Sequence, residues 1–193
     1  MARTLLGGAP VKADIGLYGS FAETGRGHGT DRALVAGLLG MRPDDIRIPT
    51  SFELAKKNGM EFSFSTVTLK DAHPNTAVLR LTGQHGRKIE VQAASIGGGR
   101  ILIAKLDGID VNFSAEKPTL IVHNVDQPGH VAQVTTMLAE KQVNIATLQL
   151  YRDKRGGYAV MVIETDQEVP EESVTWLEQL DGIIKVTYIN VEE

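Results

Sequence analysis

The chain has 193 residues, of which 42% are hydrophobic and 23% are charged, and its formal net charge is −4 at pH 7. These values are typical of a globular protein, and the interspersed charges indicate no basic surface for nucleic acid and no membrane patch. No apolar run approaches the ~18 residues of a transmembrane helix, and no signal-peptide pattern begins the chain. We therefore expect a cytoplasmic protein without a membrane or nucleic-acid partner.

The sequence contains no cysteine. The absence of cysteine excludes disulfides, thiolate nucleophiles and cysteine-based zinc sites. It also means that this chain alone cannot ligate an ordinary iron–sulfur cluster.

The first half of the chain predicts a mixed α/β domain. A strand over residues 13–18 runs into a glycine-dense loop, and helices are predicted over residues 30–39 and 51–58. Glycine-rich separators between the later strands favour an antiparallel meander. Those strands are predicted over residues 61–69, 76–81, 88–95, 100–106 and 110–113.

The second half predicts the order βαββαβ, which is the ferredoxin-like arrangement. Helical periodicity marks residues 131–138 and 170–180, and strand patterns mark residues 119–123, 143–152, 158–165 and 183–189. A short polar segment, residues 114–117, joins the two halves. We therefore expect an α+β protein with domains over residues 1–114 and 118–193.

The glycine-dense loop carries the first candidate site. Gly25, Gly27 and Gly29 permit sharp bends and close approach of a ligand to the backbone. His28 lies among them, just ahead of a predicted helix start at Thr30 and Asp31, which are N-cap-type residues. Free N–H groups at such a helix start favour an anion such as a carboxylate, and a neutral imidazole there can accept a proton near pH 7.

Phosphate-binding motifs do not explain this loop. A P-loop needs a lysine after its last glycine, and no lysine occurs between Lys12 and Lys56. The glycines also lack the G-x-G-x-x-G spacing of a dinucleotide fingerprint. A metal site built from His28, Asp31 and His73 is conceivable, but no metal-ligand pattern supports it, and we expect none.

Two further segments have alternative interpretations. His73-Pro74-Asn75-Thr76 is either a turn or a source of hydrogen bonds to a substrate. Ser95-Ile96-Gly97-Gly98-Gly99 is either a hairpin or an anion-binding nest of backbone N–H groups. His85 and His123 are expected to be structural or solvated, whereas His130 could line a ligand pocket at a helix start.

Three strings resemble a known family: GSFAETGRGHGTDRALVAGLLG, HPNT and SIGGG. In this order they are similar to the beta subunit of bacterial iron–sulfur-dependent L-serine dehydratase (L-serine ammonia-lyase). Residues 119–193 resemble an ACT domain, through Asp126-Gln127-Pro128-Gly129-His130-Val131 and Val143-Asn144-Ile145. Together the two resemblances cover almost the whole chain.

The first resemblance implies deamination of L-serine to pyruvate and ammonia, with a [4Fe–4S] cluster ligated by an alpha subunit. It makes His28 the candidate base for the α-proton and His73 a second catalytic residue. The substrate-binding residues that it implies are Ser20, Gly27, Gly29, Thr30, Asp31, Asn75, Thr76 and Gly98.

The ACT resemblance implies an effector, L-serine or another small amino acid, and a homodimer formed through the ACT domains. The implied effector-binding residues are Asn124, Asp126, Gly129, His130, Val131 and Asn144. An alternative function is a non-catalytic amino-acid-sensing module, like that of some phosphoglycerate dehydrogenases.

Members of the family also carry an upstream segment with the string GPSSSHT. The first residues here, Met1 to Gly7, resemble only the end of the helix that comes after that string. We expect either a truncated start or the loss of part of the site.

Overall fold

A computed structural model describes residues 1–190, so the last three residues of the expected domain 118–193 lie outside the described residues. The chain divides into two compact units, Met1–Asp107 and Gly108–Glu193. Each unit contributes strands to a sheet and carries its own helices, which confirms the α+β class expected from the sequence. Among the described residues, no helix is long and apolar enough to cross a membrane.

The first unit contains four α-helices and five strands. The predicted helix after the glycine loop has the expected bounds, because left-handed glycines flank it at Gly29 and Gly40. The elements in chain order are α1 (Ala2–Leu6), β1 (Pro10–Tyr18), α2 (Ser20–Thr24), α3 (Thr30–Leu39), α4 (Ser51–Lys57), β2 (Glu61–Thr66), β3 (Thr76–Gly83), β4 (Lys88–Gly97) and β5 (Arg100–Leu106).

Strands β3, β4 and β5 form the predicted antiparallel meander, with β1 antiparallel to β3. The prediction that the strand near residue 61 begins this meander is wrong. Strand β2 pairs in parallel with β1 at the other edge of the sheet, with Lys12 opposite Glu61 and Leu17 opposite Thr66. Parallel pairing needs a crossover connection, and helices α2 to α4 provide it.

The core of this unit lies between the sheet and the helices. Strand residues Ile15, Leu81 and Ile103 are at most 1% exposed, and Val35 and Leu38 of α3 are also buried. This burial holds the ends of β1, β3 and β4 in a fixed register, which positions the loops that leave them.

From its second strand onward, the second unit has the predicted ferredoxin-like order βαββαβ. Its elements are β6 (Ile109–Phe113), β7 (Thr119–Val125), α5 (His130–Glu140), β8 (Ile145–Arg152), β9 (Tyr158–Thr165), α6 (Glu171–Glu178) and β10 (Ile183–Ile189). The four-stranded sheet has the order β10-β7-β9-β8, with antiparallel neighbours. Its core includes Leu120, Val122, Leu138, Met161, Ile163 and Leu177.

Several predicted bounds in this unit differ from the observed ones by one or more residues, among them those of β8 and α6. Strand β8 begins at Ile145, not at residue 143, because the Val143 N–H donates to the Leu138 carbonyl and Gln142 has a φ of +57°. These residues therefore belong to the turn after α5. Helix α6 ends at Glu178, and Leu180 forms a turn on Leu177.

Candidate functional site

The three strings of the first unit meet at one end of its sheet. Tyr18, at the end of β1, pairs with Thr76, at the start of β3, and Thr76 pairs with Ala94 of β4. The Ser95 N–H donates to the Asn75 carbonyl over 3.0 Å. We call this region, residues 18–21, 73–76 and 94–99, the motif end of the sheet.

Gly19 is required where the glycine loop contacts the HPNT segment. Its φ of +55° and ψ of −129° lie in a region that is essentially restricted to glycine. A Cβ atom there would lie 2.6 Å from the Pro74 carbonyl oxygen and 2.8 Å from Pro74 Cα. The same Pro74 carbonyl accepts the Phe21 N–H at 3.5 Å. Gly19 thus lets the loop and the HPNT turn touch through their backbones.

The glycine loop is more ordered than its composition predicts. Half-buried Ser20 begins the short helix α2, and buried Gly25 comes after it, where a Cβ atom would lie 2.3 Å from the Phe21 carbonyl oxygen. Exposed Gly27 then precedes His28, whose backbone N–H donates to the Thr24 carbonyl at 3.2 Å. The His28 ring is exposed and has no hydrogen bond to another described residue, so it is accessible to a ligand.

The start of helix α3 differs from the expectation. Gly29, not Thr30 or Asp31, occupies the N-cap position, and no side chain caps the helix there. The Thr30 N–H donates to the Gly25 carbonyl at 2.8 Å, and the Arg32 N–H donates to Asp31 Oδ1 at 2.8 Å. Two of the amides expected to face an anion are therefore engaged within the loop, although the partial positive charge of the helix start remains.

The HPNT segment forms a turn that fixes the tautomer of His73. The Asn75 N–H donates to His73 Nδ1 at 3.1 Å, so a neutral ring carries its proton on Nε2. His73 is exposed and Asn75 half-buried. Thr76 is 1% exposed, and its hydroxyl donates to the His73 carbonyl at 2.6 Å. Its hydroxyl therefore stabilises the turn.

The SIGGG segment forms a hairpin between β4 and β5. Gly97 pairs with Arg100, and Gly98 and Gly99, with φ values of +62° and +76°, form the turn between them. Positive φ at both central residues is the geometry of the turns that connect twisted strands. Gly98 is exposed at the tip of this hairpin.

A second candidate site lies in the second unit, between β7 and α5. Asn124 is 3% exposed and His130 is 7% exposed. Asn124 Oδ1 and His130 Nε2 are buried, and neither has a hydrogen-bond partner among the described residues. Buried polar atoms are rarely left without a partner, so this pair indicates a place for a polar ligand.

The loop around these residues is tightly built. Gly129, with a φ of +106°, is the N-cap of α5, and Val131 in its first turn is 38% exposed. His130 Nδ1 lies 3.2 Å from Gln133 Oε1, which orients the ring. On the other side, a Cβ atom on Gly182 would lie 2.6 Å from His130 Nε2. Any larger residue than glycine would therefore displace the imidazole.

Asp126 stabilises the protein in a way that the sequence did not indicate. Its Oδ2 accepts the Gly156 N–H at 3.0 Å and Arg152 Nη1–H at 2.9 Å, which ties the β8–β9 hairpin to the loop. The Gly156 N–H and the Arg152 guanidinium lower the pKa of the Asp126 carboxyl below its ordinary value. The carboxylate is thus engaged by the protein itself.

We expect Asp126→Asn to destabilise the protein more at pH 7 than at pH 3. Because the folded-state pKa is lowered, the stabilisation is present above the unfolded pKa of about 4 and is lost as pH falls through the folded value. Urea unfolding of the unsubstituted and Asp126→Asn chains at both pH values should show that the difference between their unfolding midpoints becomes smaller in acid. A gap of equal size at both pH values would contradict the ionic role.

Asn144 does not join the other proposed effector residues within one chain. Its N–H donates to Gln167 Oε1 at 2.7 Å and its amide donates to Asp166 Oδ2 at 2.6 Å. Asp166 lies just past the carboxyl end of β9, whereas Asn124 pairs with Ala159 near the amino end of that strand. The two asparagines therefore lie at opposite ends of the sheet, and only a second copy could bring them together.

The remaining histidines match their expected structural roles. His85 is exposed in the 3-10 turn Gln84–Gly86, with a φ of +64°. His123 is fully buried and is hydrogen-bonded through Nδ1 to the Tyr158 hydroxyl. Within residues 1–190, no group of three or more His, Asp or Glu side chains could hold a metal ion. Together with the lack of cysteine, this means that the described residues do not fit an iron–sulfur cluster.

The contacts made by three residues that matter for the sites, Gly19, Pro74 and Gly182, were not predicted from the sequence. A glycine directly after a strand, as in Tyr18-Gly19, is a signal of close backbone approach and could have indicated the first. Pro74 and Gly182 matter through contacts distant in sequence, for which a single sequence carries no signal.

The folds of the two units define a class of protein in which an α/β domain precedes a ferredoxin-like domain. The family model described as serine dehydratase beta chain matches residues 5–106, and the ACT domain model matches residues 118–182. The chain belongs to the serine dehydratase beta chain family.

Individual relatives agree with this assignment. The chain is 36% identical to the probable L-serine dehydratase beta chain of Bacillus subtilis, over 98% of this chain and 86% of that protein. It is 36% identical to the L-serine dehydratase beta chain of Peptoniphilus asaccharolyticus, over 91% of this chain and 79% of that protein. It is also 27% identical to a D-3-phosphoglycerate dehydrogenase of Archaeoglobus fulgidus, over 99% of this chain but only 36% of that protein.

Proposed function

We propose that the chain is the beta subunit of an L-serine dehydratase and that it contributes one part of the active site. The observation that carries this proposal is the convergence of the HPNT and SIGGG segments with the start of the glycine loop at the motif end of the sheet. Pairing of the neighbouring strands β1, β3 and β4 brings these strings together, so one ligand can contact all three.

His28 is the base in this proposal. Its ring is exposed and is not held by the protein, so Nδ1 or Nε2 can accept the α-proton of serine. The helix start beside it favours the substrate carboxylate through the helix dipole, although Asp31 engages one of the local amides. Loss of the α-proton and the hydroxyl, as water, leaves an enamine that hydrolyses to pyruvate and ammonia.

His73 has a different role. With Nδ1 accepting from the Asn75 backbone, a neutral ring offers Nε2–H as a donor. We assign it to hydrogen bonding of the substrate, together with the Asn75 amide. In this division of roles, one histidine accepts a proton and the other donates a hydrogen bond to the substrate.

The iron–sulfur cluster that the family resemblance implies belongs, in this proposal, to the alpha subunit. The chain has no cysteine, and its described residues form no alternative ligand set. The chain should therefore be inactive without that partner. The domain bounds 1–114 and 118–193 and the cytoplasmic location stay predictions.

Anaerobic reconstitution with an L-serine dehydratase alpha subunit tests the proposal. The complex should form pyruvate from L-serine, and D-serine serves as the matched control substrate. If the complex is inactive while the isolated chain binds L-serine, the chain is a regulatory sensor, as the similarity to phosphoglycerate dehydrogenases would then indicate.

We further propose that Asn124 and His130 hold the amino-acid effector of the ACT domain. Their buried Oδ1 and Nε2 atoms suit an ammonium donor and a polar partner on a small amino acid. In a two-fold pair, opposite ends of neighbouring sheets approach each other, so Asn144 of a second copy could complete the site.

Gly182→Ala is expected to abolish effector binding, because the new Cβ would lie 2.6 Å from His130 Nε2. Gly108→Ala is the matched control, since Gly108 also has a positive φ, +84°, but open space around it. Calorimetric titration of both chains with L-serine, and then with other small amino acids, measures the effect. Equal binding by both variants would exclude His130 from the site.

A further inference from the structure

A cavity of about 630 Å³ lies between helices α5 and α6 of the second unit. This volume falls within the range of about 300–1,000 Å³ that small-molecule sites occupy. None of the six residues assigned to the effector site lines it. The cavity is thus a separate feature of the second unit, and ligand binding there does not depend on the proposed function.

The walls of the cavity are largely apolar. Met137 of α5 is buried beside the cavity, Ala132 lies five residues earlier on the same helix, and Trp176 lines the cavity from α6. Trp176 is the single tryptophan of the chain, and it is 44% exposed. An exposed tryptophan beside a concave surface commonly acts as a binding anchor, because its large ring loses little conformational entropy on contact.

Ser173 adds a buried polar group to this surface. The residue lines the cavity and is 2% exposed, and its Oγ has no hydrogen-bond partner among residues 1–190. Leaving such a hydroxyl unsatisfied is unfavourable. A ligand with a hydrogen-bonding group could satisfy this hydroxyl, so the position favours a ligand that is not purely apolar.

The rim of the cavity is acidic. Lys141 Nζ lies 3.3 Å from Glu172 Oε1, so these two charges compensate each other. Glu140 also lines the cavity, and it has no ion pair within the described part of the chain. One carboxylate therefore remains to attract a positive charge, and a second copy of the same acidic surface would be repelled.

We propose that this cavity binds a small amphipathic cation, with an apolar ring or branched chain and one ammonium group. The apolar body packs on Trp176 and Met137, the ammonium lies near Glu140, and Ser173 Oγ accepts a hydrogen bond from it. Neither the acidic rim nor the apolar wall alone specifies this class, but together they disfavour both anions and polar cations.

Titration of the full chain with phenethylamine tests this proposal, and 3-phenylpropionate is the control because it has a similar apolar body and the opposite charge. The emission of Trp176 reports occupancy without interference from another tryptophan. We expect saturable binding with a Kd on the order of millimolar, as suits so small a ligand. The anion should bind at least about ten-fold more weakly, because the rim carries a net negative charge.

Variants locate the binding, with affinities measured by calorimetry. Thr136→Phe places a ring in the cavity and should weaken phenethylamine binding about ten-fold or more. Thr175→Phe, the same change at an exposed threonine of α6 that does not line this cavity, should leave it unchanged. Ser173→Ala removes only a hydroxyl without a partner, so the fold should persist while affinity falls several-fold.

The proposal would be overturned by the absence of saturable binding, by equal affinity for the amine and the carboxylate, or by equal effects of Thr136→Phe and Thr175→Phe. A blue shift of Trp176 emission with protein concentration, without any probe, would likewise assign the surface to a second copy of the chain.

Discussion

A His28→Asn chain, reconstituted with the alpha subunit, is expected to lose at least about 100-fold in the rate of pyruvate formation, since general base catalysis contributes about 10²–10⁴-fold. Asparagine is close to histidine in size and keeps a polar side chain, but it cannot accept the α-proton. His28 is exposed and its ring is not bonded to another described residue, so the fold and complex formation should be unaffected.

The control for this substitution is His85→Asn. His85 is also exposed, and its φ of +64° is one that asparagine tolerates. The His85→Asn chain should form pyruvate at the rate of the unsubstituted chain. Thermal unfolding should show that the His28→Asn, His85→Asn and unsubstituted chains are equally stable. Unchanged turnover by His28→Asn would show that another group removes the proton.

Gly19→Ala is expected to be the most damaging single change at the motif end of the sheet. Alanine at this φ and ψ is strained by about 1–3 kcal/mol. The new Cβ would also lie 2.6 Å from a backbone oxygen of Pro74, and such overpacking adds about 1–3 kcal/mol. The strain and the close contact can be relieved only if the HPNT turn moves. That movement would displace His73 and reduce turnover even in molecules that remain folded.

Gly59→Ala is the control that separates backbone strain from the close contact with Pro74. Gly59 has a φ of +72° with open space around its Cβ position, so that chain should lose only about 1–2 kcal/mol. Urea unfolding gives the stability of each variant, and the reconstituted assay gives its turnover. Equal losses in both variants would mean that the contact between Gly19 and Pro74 does not matter.

The sequence predicted local elements well where short-range signals define both ends. Helix α3 and strands β5 and β10 have the expected bounds. For α3 the reason is a left-handed glycine on each side, Gly29 and Gly40, which ends the helix whatever its tertiary contacts. The ferredoxin-like order of the second unit could be predicted from strand and helix periodicity alone.

Long-range pairing was not predictable in the same way. The strand from Glu61 looks like any other strand of a meander, and only the intervening helices make it a parallel edge partner of β1. The short helix Ser20–Thr24 was hidden because glycine-rich composition indicates a loop, whereas contact with Pro74 orders the segment. Such effects depend on residues that meet only in the folded chain.

The candidate sites likewise combine features that the sequence predicts with features that depend on the fold. His28, His73 and Asn75 could be singled out from residue type and motif, but the tautomer of His73 depends on a backbone geometry that no motif specifies. Asp126 could be singled out as a candidate for effector binding, yet its charge is already engaged by Arg152 and Gly156. Residue type indicated the possible chemistry, and the fold decided which atoms remain available for it.

We propose above all that this chain supplies part of a serine-deaminating site that a partner completes. The most direct test is a titration of a fixed amount of alpha subunit with increasing amounts of this chain, under anaerobic conditions, with pyruvate formation from L-serine as the readout. The claim predicts no activity without this chain, a rise with each addition and saturation at a defined ratio of the two chains. Equal pyruvate formation with and without this chain would contradict it.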